Sequence, residues 1–271
     1  MLLAVDTGGT KTLLTAFDHD GTPGEKYRFE TPKNPDDYLT TLIDIIHKHY
    51  DPKKLDAVVI ATPGTIKDNV VKWGGSNLPW HDFDIVRGLR SFLACPVWLQ
   101  NDANLAGLSE TRMLEKIPPQ CLYVTVSTGI GTGIIIDGEI VPGLSTSEGG
   151  HALVEYDGKV RMWESFASGS AIKKTYGKYA RDIHDKKVWQ QIADKISRGF
   201  LAIIPVLQPD VIIIGGSIGT YFDRYEAYLK ARLAEHMPDH IAVPEIRRAA
   251  HPEEAVVYGC YYYGRDRLAR R

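Results

Sequence analysis

The sequence predicts an α/β protein made of two related halves, and three observations carry this reading. Short runs rich in Val, Ile and Leu alternate with segments of helical apolar spacing. A strand, a glycine-rich turn and a second strand occur twice, around Asp6 and around Ser127, which is a weak internal repeat. Apolar residues are 44 % of the 271. That is enough for a sizeable core, and at ~150 residues per domain the chain holds one large domain or two modest ones.

In chain order, Met1 to Val5 is an apolar run, Asp6 to Lys11 a turn, and Thr12 to Phe17 a second strand. Asp18-His19-Asp20-Gly21 turns the chain into a third strand over Lys26 to Phe29, so the start is a meander. The first helix begins at Asn34, which caps it. Pro35 fits the first position, and Leu39, Leu42, Ile43 and Ile46 share a face. Leu55 to Ile60 reads as a buried strand leading to the loop Ala61-Thr62-Pro63-Gly64. A helix over Ile85 to Leu93, a strand over Pro96 to Leu99 and a helix from Ala103 to Glu115 follow. Pro118-Pro119 breaks the chain, after which the opening pattern returns. Leu122 to Ser127 is β-rich, Thr128 to Gly133 is a glycine-rich turn, and Ile134 to Ile136 pairs back through Asp137-Gly138 with Glu139 to Val141. Helices are expected over Phe166 to Tyr176 and Lys186 to Leu207. A buried strand over Asp210 to Ile214 ends in Gly215-Gly216-Ser217-Ile218-Gly219 and leads into a helix through Ala234. A strand near Val243 to Ile246 and a helix from Glu253 to Leu268 close the chain.

Lys plus Arg is 32 and Asp plus Glu is 34, a formal net charge of −2. This balance gives no support to bulk binding of nucleic acid or an anionic membrane. No apolar run approaches the ~18 residues of a spanning helix, and MLLAVDTGGT lacks the basic start of a signal peptide. A cytoplasmic protein is expected. Cys95, Cys121 and Cys260 form no C-x-x-C pair and read as small buried side chains.

The turn Asp6-Thr7-Gly8-Gly9-Thr10-Lys11 is neither a P-loop nor a dinucleotide fingerprint, because a strand and not a helix follows it. It is an ordinary tight hairpin, or one whose glycines leave backbone N–H groups open to an anion, with Thr10 and Lys11 as further donors and Asp6 holding a cation through water. The turn from Ser127 to Gly133 has the same two readings, and a pair of such hairpins can clamp a polyphosphate. Gly215-Gly216 is a tight βα turn or a bare surface against which a nucleotide lies. In Asn101-Asp102-Ala103-Asn104, Asp or Asn before a helix is either an N-cap or a carboxylate facing a cleft. Glu148, His151 and Glu164 are suited to the vicinal hydroxyls of a polyol, with an exposed loop His as the bland alternative. Trp73, Trp80 and Trp163 wall a sugar pocket or pack between domains.

Together these residues resemble the ROK family, bacterial sugar kinases and sugar-responsive repressors of the actin-like ATPase superfamily. Asp6 to Lys11 is similar to the family's first phosphate motif, Asn101 to Asn104 to its catalytic motif, and Ser127 to Gly133 to its second phosphate motif. Glu148-Gly149-Gly150-His151 fits E-x-G-H, Glu164 to Gly169 fits E-x-x-A-S-G, and Asp210 to Gly216 fits the adenosine motif. Each alone is unspecific; six in order are specific. Many family members bind a structural zinc through that His and a C-x-C-G-x-x-G-C segment. Here His151 and Glu164 are joined by ALVEYDGKVRMW, so no zinc is expected and His151 is assigned to the sugar. The chain starts at the first strand, so the helix-turn-helix of the family's repressors is not expected.

The resemblance implies an actin-like ATPase (ribonuclease H-like) fold with two similar α/β domains around a cleft: 1–103, with a C-terminal helix over about 253–271 packing back on it, and 104–252. It implies ATP-dependent transfer of a γ-phosphate to the 6-hydroxyl of a hexose, glucose first, with fructose or an N-acylhexosamine as alternatives. A non-catalytic sugar sensor is the reading from another class, and the intact Asp102 and both glycine turns argue against it. Asp102 is then the general base. Gly64, Asn77, Asn101, Asp102, Glu148, His151 and Glu164 bind the sugar. Asp6, Gly8, Gly9, Thr10, Lys11, Thr128, Gly129, Gly215 and Gly216 bind ATP, with Mg²⁺ near Asp6. Homodimerisation is implied likewise.

Overall fold

The computed structural model describes residues 1–75, 77–251 and 254–270. The start of the last helix at Glu253, and Ser76 within the Trp73 to Trp80 stretch, lie outside the described residues. The chain divides into two compact units: Met1–Ser109 together with the segment from Glu254 on, and the segment between, from Glu110.

The first unit opens with β1 (Leu2–Thr7), β2 (Lys11–Phe17) and β3 (Pro23–Glu30). α1 (Pro35–His49) starts where Asn34 Oδ1 accepts the Asp36 and Asp37 amides at 2.8 and 3.2 Å. Asp36 and Asp37 in its first turn and His47, Lys48 and His49 in its last complement the helix dipole. β4 (Ala57–Thr62) follows, then β5 (Thr65–Lys67), β6 (Val70–Trp73) and β7 (His81–Phe83), a small separate sheet. α2 (Ile85–Arg90), β8 (Val97–Asn101) and α3 (Asp102–Arg112) complete the run. The main sheet has the order β3-β2-β1-β4-β8, with β1, β4 and β8 parallel. β4 is buried along its whole length. Its residues therefore serve two cores by alternation: Val58 and Ile60 join the cluster with Leu42, Ile46 and Leu89 of α1 and α2.

The second unit repeats this plan. Its first strands are β9 (Gln120–Val126), β10 (Ile130–Ile136) and β11 (Glu139–Ile140), and β12 (Leu153–Tyr156) and β13 (Lys159–Met162) form a separate hairpin. α4 (Glu164–Ala167), α5 (Gly169–Tyr176), α6 (Lys186–Leu207), β14 (Val211–Gly215), α7 (Gly216–Gly219), α8 (Glu226–His236) and β15 (Glu245–Arg248) follow. The main sheet has the order β11-β10-β9-β14-β15, again with two antiparallel pairings followed by two parallel ones. The repeat seen in the sequence is thus a repeat of topology. α6 covers this sheet with a stripe of Trp189, Ile192, Ala193, Ile196, Phe200 and Ile204.

α9 (Ala255–Ala269) returns to the first unit and covers the second face of its sheet. A Cβ on Gly264 would stand 2.3 Å from Leu2 and 2.8 Å from Val59, so this helix approaches β1 and β4 closely.

Several predicted elements differ from the observed ones. The glycine-rich turn is only Ser127 to Gly129; Gly131 and Gly133 lie inside β10, because the intervening Ile130, Thr132 and Ile134 favour a strand. The helix predicted over Phe166 to Tyr176 breaks at Ser168, whose hydroxyl caps α5 through the Ala171 amide. The helix predicted after Gly215 is one turn, followed by a 3₁₀ turn at Phe222–Arg224 before α8. Trp80 and Trp163 are fully buried core residues, not pocket walls. No helix among the described residues is long and apolar enough to cross a membrane.

Candidate active site

In the first unit the candidate residues collect at the carboxyl edge of the three parallel strands, the usual ligand edge of an α/β sheet. Asp6 lies near the end of β1, Gly64 just beyond β4, Asn101 ends β8, and Asp102 opens α3. The β1–β2 turn is closed by Gly8 N–H donating to Lys11 O at 3.0 Å, and Thr10 and Lys11 are exposed. Gly9 touches the exposed Asn77, since a Cβ there would lie 2.6 Å from the Asn77 Cβ.

Two residues outside the predicted set stitch this turn. Thr31 donates its hydroxyl to Gly8 O at 2.9 Å and its amide to Thr10 O at 2.9 Å. Lys33 donates to Gly9 O and, at 2.7 Å, to Asn77 O, so an ammonium sits on the loop pair. No sequence motif marks either residue; they reach the turn because β3 pairs with β2.

Asn101 is the cap of α3. Its Oδ1 accepts Ala103 N and Asn104 N at 2.9 and 3.1 Å, and its Nδ2 donates to Gly64 O at 2.9 Å. Gly64 has φ +85° and lies so near Trp73 O that a Cβ would be 2.0 Å away, so only glycine fits. The carboxylate of Asp102 accepts Ala103 N at 2.8 Å. Asp6 is pushed up to about 7, first by burial and then by the charge of Asp102. Two carboxylates that repel in this way suit a hard divalent cation, and Mg²⁺ on a nucleotide needs only one or two protein carboxylates. Thr62 Oγ1, at the end of β4, is buried and finds no partner among the described residues.

In the second unit the predicted sugar residues are threaded on β10. Glu164 Oε2 accepts Ile130 N at 2.7 Å and fills the space beside Gly129, where a Cβ would stand 2.2 Å from it. Gly149 N donates to Thr132 Oγ1 at 2.9 Å, and a Cβ on Gly150 would meet Ile130 O at 2.0 Å. Glu148 and His151 flank these glycines and are both half-buried, with His151 N donating to Glu148 O at 3.0 Å. Thr128 is exposed at the tip of the turn. Gly215 and Gly216 follow β14 at the carboxyl edge and pack on β9: a Cβ on Gly215 would meet the Tyr123 hydroxyl at 2.2 Å, and Gly216 has φ +77°. Asp210, at the other end of β14, only ties the strand starts together through Gln120 N at 2.8 Å.

A zinc ion does not fit beside His151. Among the described residues no three His, Cys, Asp or Glu side chains group to hold a metal, and Cys95, Cys121 and Cys260 belong to the lead into β8, to β9 and to α9.

Twin α/β units with glycine turns and carboxylates at their carboxyl edges define an actin-like ATPase fold, which the solved neighbours share. The family model described as "ROK family" matches residues 2–266, and the chain belongs to that family. A putative fructokinase of Bacillus subtilis (strain 168) is 28 % identical, with 91 % of each chain covered. A ROK family protein from Streptococcus pneumoniae TIGR4, solved in complex with sucrose, superposes with a TM-score of 0.83 at 24 % identity, covering 100 % of this chain and 99 % of its own. A Streptomyces griseus glucokinase in complex with glucose and AMPPNP has a TM-score of 0.79 at 20 % identity, covering 97 % and 98 %. The activity class is sugar kinase.

Proposed function

We propose that the protein transfers the γ-phosphate of ATP to a primary hydroxyl of a hexose. The single observation that carries this is the paired carboxylates of Asp6 and Asp102 at the carboxyl edge of the first sheet, beside a glycine turn. The putative fructokinase named above supports fructose first; glucose, the acceptor expected from the sequence and that of the glucokinase neighbour, comes second.

In this reading Asp102 orients the acceptor hydroxyl. Its carboxylate takes the proton as the sugar oxygen bonds to the γ-phosphorus and the bond to the β,γ-bridging oxygen breaks. A sugar hydroxyl is too weak an acid to ionise at neutral pH, so the proton leaves only as the P–O bond forms. The turn Gly8 to Lys11 offers backbone and side-chain donors to the phosphates, as does Thr128-Gly129. Asn77, Glu148 and His151 accept and donate to the sugar hydroxyls. Asn101 and Glu164 hold Gly64 and Ile130 in addition to any contact with the sugar. Mg²⁺, held through Asp6, would neutralise phosphate charge.

The test is ADP release with MgATP over fructose, glucose, mannose and N-acetylhexosamines. One strong acceptor is expected. Asp102→Asn should lose about 10²–10⁴ in turnover while sugar binding by calorimetry persists. Silence from folded protein across the panel, or an active Asp102→Asn enzyme, would refute the reading.

A further inference from the structure

The hairpin between His151 and Glu164 is closed at its base. Trp163 N donates to Ala152 O at 2.9 Å, so the residues following His151 and preceding Glu164 are tied together. Whatever fixes this hairpin therefore fixes both candidate sugar residues.

Its inner face is set by strand alternation: Val154, Tyr156 and Arg161 turn inward, while Leu153, Glu155, Val160 and Met162 are exposed. On that inner side the Tyr156 ring stacks on Phe166 with centroids 4.4 Å apart and planes 2° from parallel. Arg161 lies over both rings, 5.5 Å from the Tyr156 centroid and 5.9 Å from that of Phe166. Its Nε is buried with no hydrogen-bond partner, while its terminal nitrogen donates to Tyr156 O at 3.1 Å. The terminal nitrogen also stands 4.0 Å from Asp157 Oδ2, so the ring faces complete the surroundings of a guanidinium whose Nε has no oxygen.

A second cation closes the stack. Lys195 of α6 is only 6 % exposed, and its Nζ lies 5.3 Å from the Tyr156 centroid and 5.6 Å from that of Tyr176. The same residue's carbonyl accepts Trp163 Nε1 at 3.2 Å. Trp163 in turn fills the gap left by Gly199, where a Cβ would be 2.0 Å from the indole.

We propose that this clamp, with Arg161 and Lys195 on the aromatic stack of Tyr156 and Phe166, is the positioning device that holds His151 and Glu164 without a metal ion. Arg161, Tyr156 and Lys195 are positioning residues and touch no reacting atom. The inference rests on the sugar-kinase reading for its effect on catalysis, but not for the existence of the clamp.

Both parts can be tested on the full chain. The Arg161 side chain is 35 % exposed, so Arg161→Met leaves the interior intact; Tyr156→Leu is the second variant, and Tyr156→Phe keeps the ring. Hydrogen exchange of residues 153–162 should accelerate by about tenfold in Arg161→Met and Tyr156→Leu and stay at the wild-type rate in Tyr156→Phe. The KM for sugar should rise by a comparable factor in the first two variants while the KM for ATP stays within about twofold. Unchanged exchange in both would overturn the clamp. Faster exchange with an unmoved sugar KM, or with equal rises for sugar and ATP, would overturn the positioning role. Zinc bound at one equivalent, with hairpin protection lost to a chelator, would overturn the metal-free claim. A wild-type enzyme inactive on every hexose would sink the functional reading, and the exchange rates would still decide the clamp.

Discussion

The cost of holding Asp6 in place is measurable. In the unfolded chain this carboxyl titrates near 3.8; in the native protein it keeps its proton to about 7, because burial and then Asp102 disfavour its charge. Between those values the native state carries a proton that the unfolded state has lost. Stability contributed by this group is therefore complete below the unfolded value and drains away as pH rises to about 7. At ~1.4 kcal/mol per pH unit, a rise from pH 5 to pH 8 removes up to about 3 kcal/mol. For units of this size that corresponds to about 5–10 °C in Tm. Asp6→Asn keeps the shape and removes the titration. Thermal unfolding of both proteins at pH 5 and pH 8, without nucleotide or Mg²⁺, should show a smaller pH 5 to pH 8 loss in the variant by that amount. The variant should also be the more stable protein at pH 8 and an inactive kinase, since a carboxylate kept against its own stability is kept for chemistry. MgADP should recover the wild type at pH 8 and leave Asp6→Asn unchanged. Parallel pH profiles for the two proteins would refute the reasoning, because they would show that Asp6 is neither desolvated nor coupled to Asp102.

Two further substitutions read the geometry of the second unit. Gly129→Ala places a methyl 2.2 Å from Glu164 Oε2 and must push the carboxylate off Ile130 N. A fall of about 10–100-fold in kcat/KM for the sugar is expected from losing one charged hydrogen bond, and a wild-type value would show that Glu164 acts elsewhere. Gly199→Ala should gain about 1 kcal/mol by helix propensity alone, but its methyl would overlap Trp163, so a net loss of about 1–3 kcal/mol in urea unfolding is expected. A stabilised variant would mean that the indole has room.

The sequence was most informative where local chemistry decides the structure. Asn34 and Pro35 place the start of α1 because capping is a contact between near neighbours. The 22 residues of α6 run from Lys186 to Leu207, as their periodicity predicts, because a long stripe leaves little ambiguity. Short elements behaved otherwise. β5 and β7 have three residues each and exist only through pairing with β6, and Trp80 packs tilted against Tyr38, ring centroids 4.7 Å apart, across a separation that no window sees. The candidate site divides along the same line. Its glycine turns and acids announce themselves by motif. The contacts of Lys33 with Gly9 and Asn77, and of Glu164 with Ile130, depend on which strands lie side by side. In Asn101-Asp102, Asn101 takes the capping role, and the charge of Asp102 acts on Asp6.

The way the second unit is threaded bears on what fixes the proposed sugar residues there. Phosphate transfer needs the acceptor oxygen and the phosphorus aligned, and an error of about 1 Å costs about 10²-fold in rate. Groups held on separate loops would need an independent anchor for each. Here Gly129 ends the proposed phosphate turn, the Ile130 amide donates to Glu164, and two residues on, Thr132 receives the Gly149 amide beside Glu148. In the proposed reading one strand, β10, therefore spaces the sugar-binding residues from the phosphate turn by its own fixed rise of ~3.3 Å per residue. What remains loose is rotation of the His151 to Glu164 segment about that strand. A closed hairpin packed by Arg161 and Lys195 on aromatic faces removes that freedom through α6, without requiring ligands of any particular chemistry. The segment is then free to vary in sequence so long as its ends stay paired, which fits a hairpin whose outer face carries no candidate site residue.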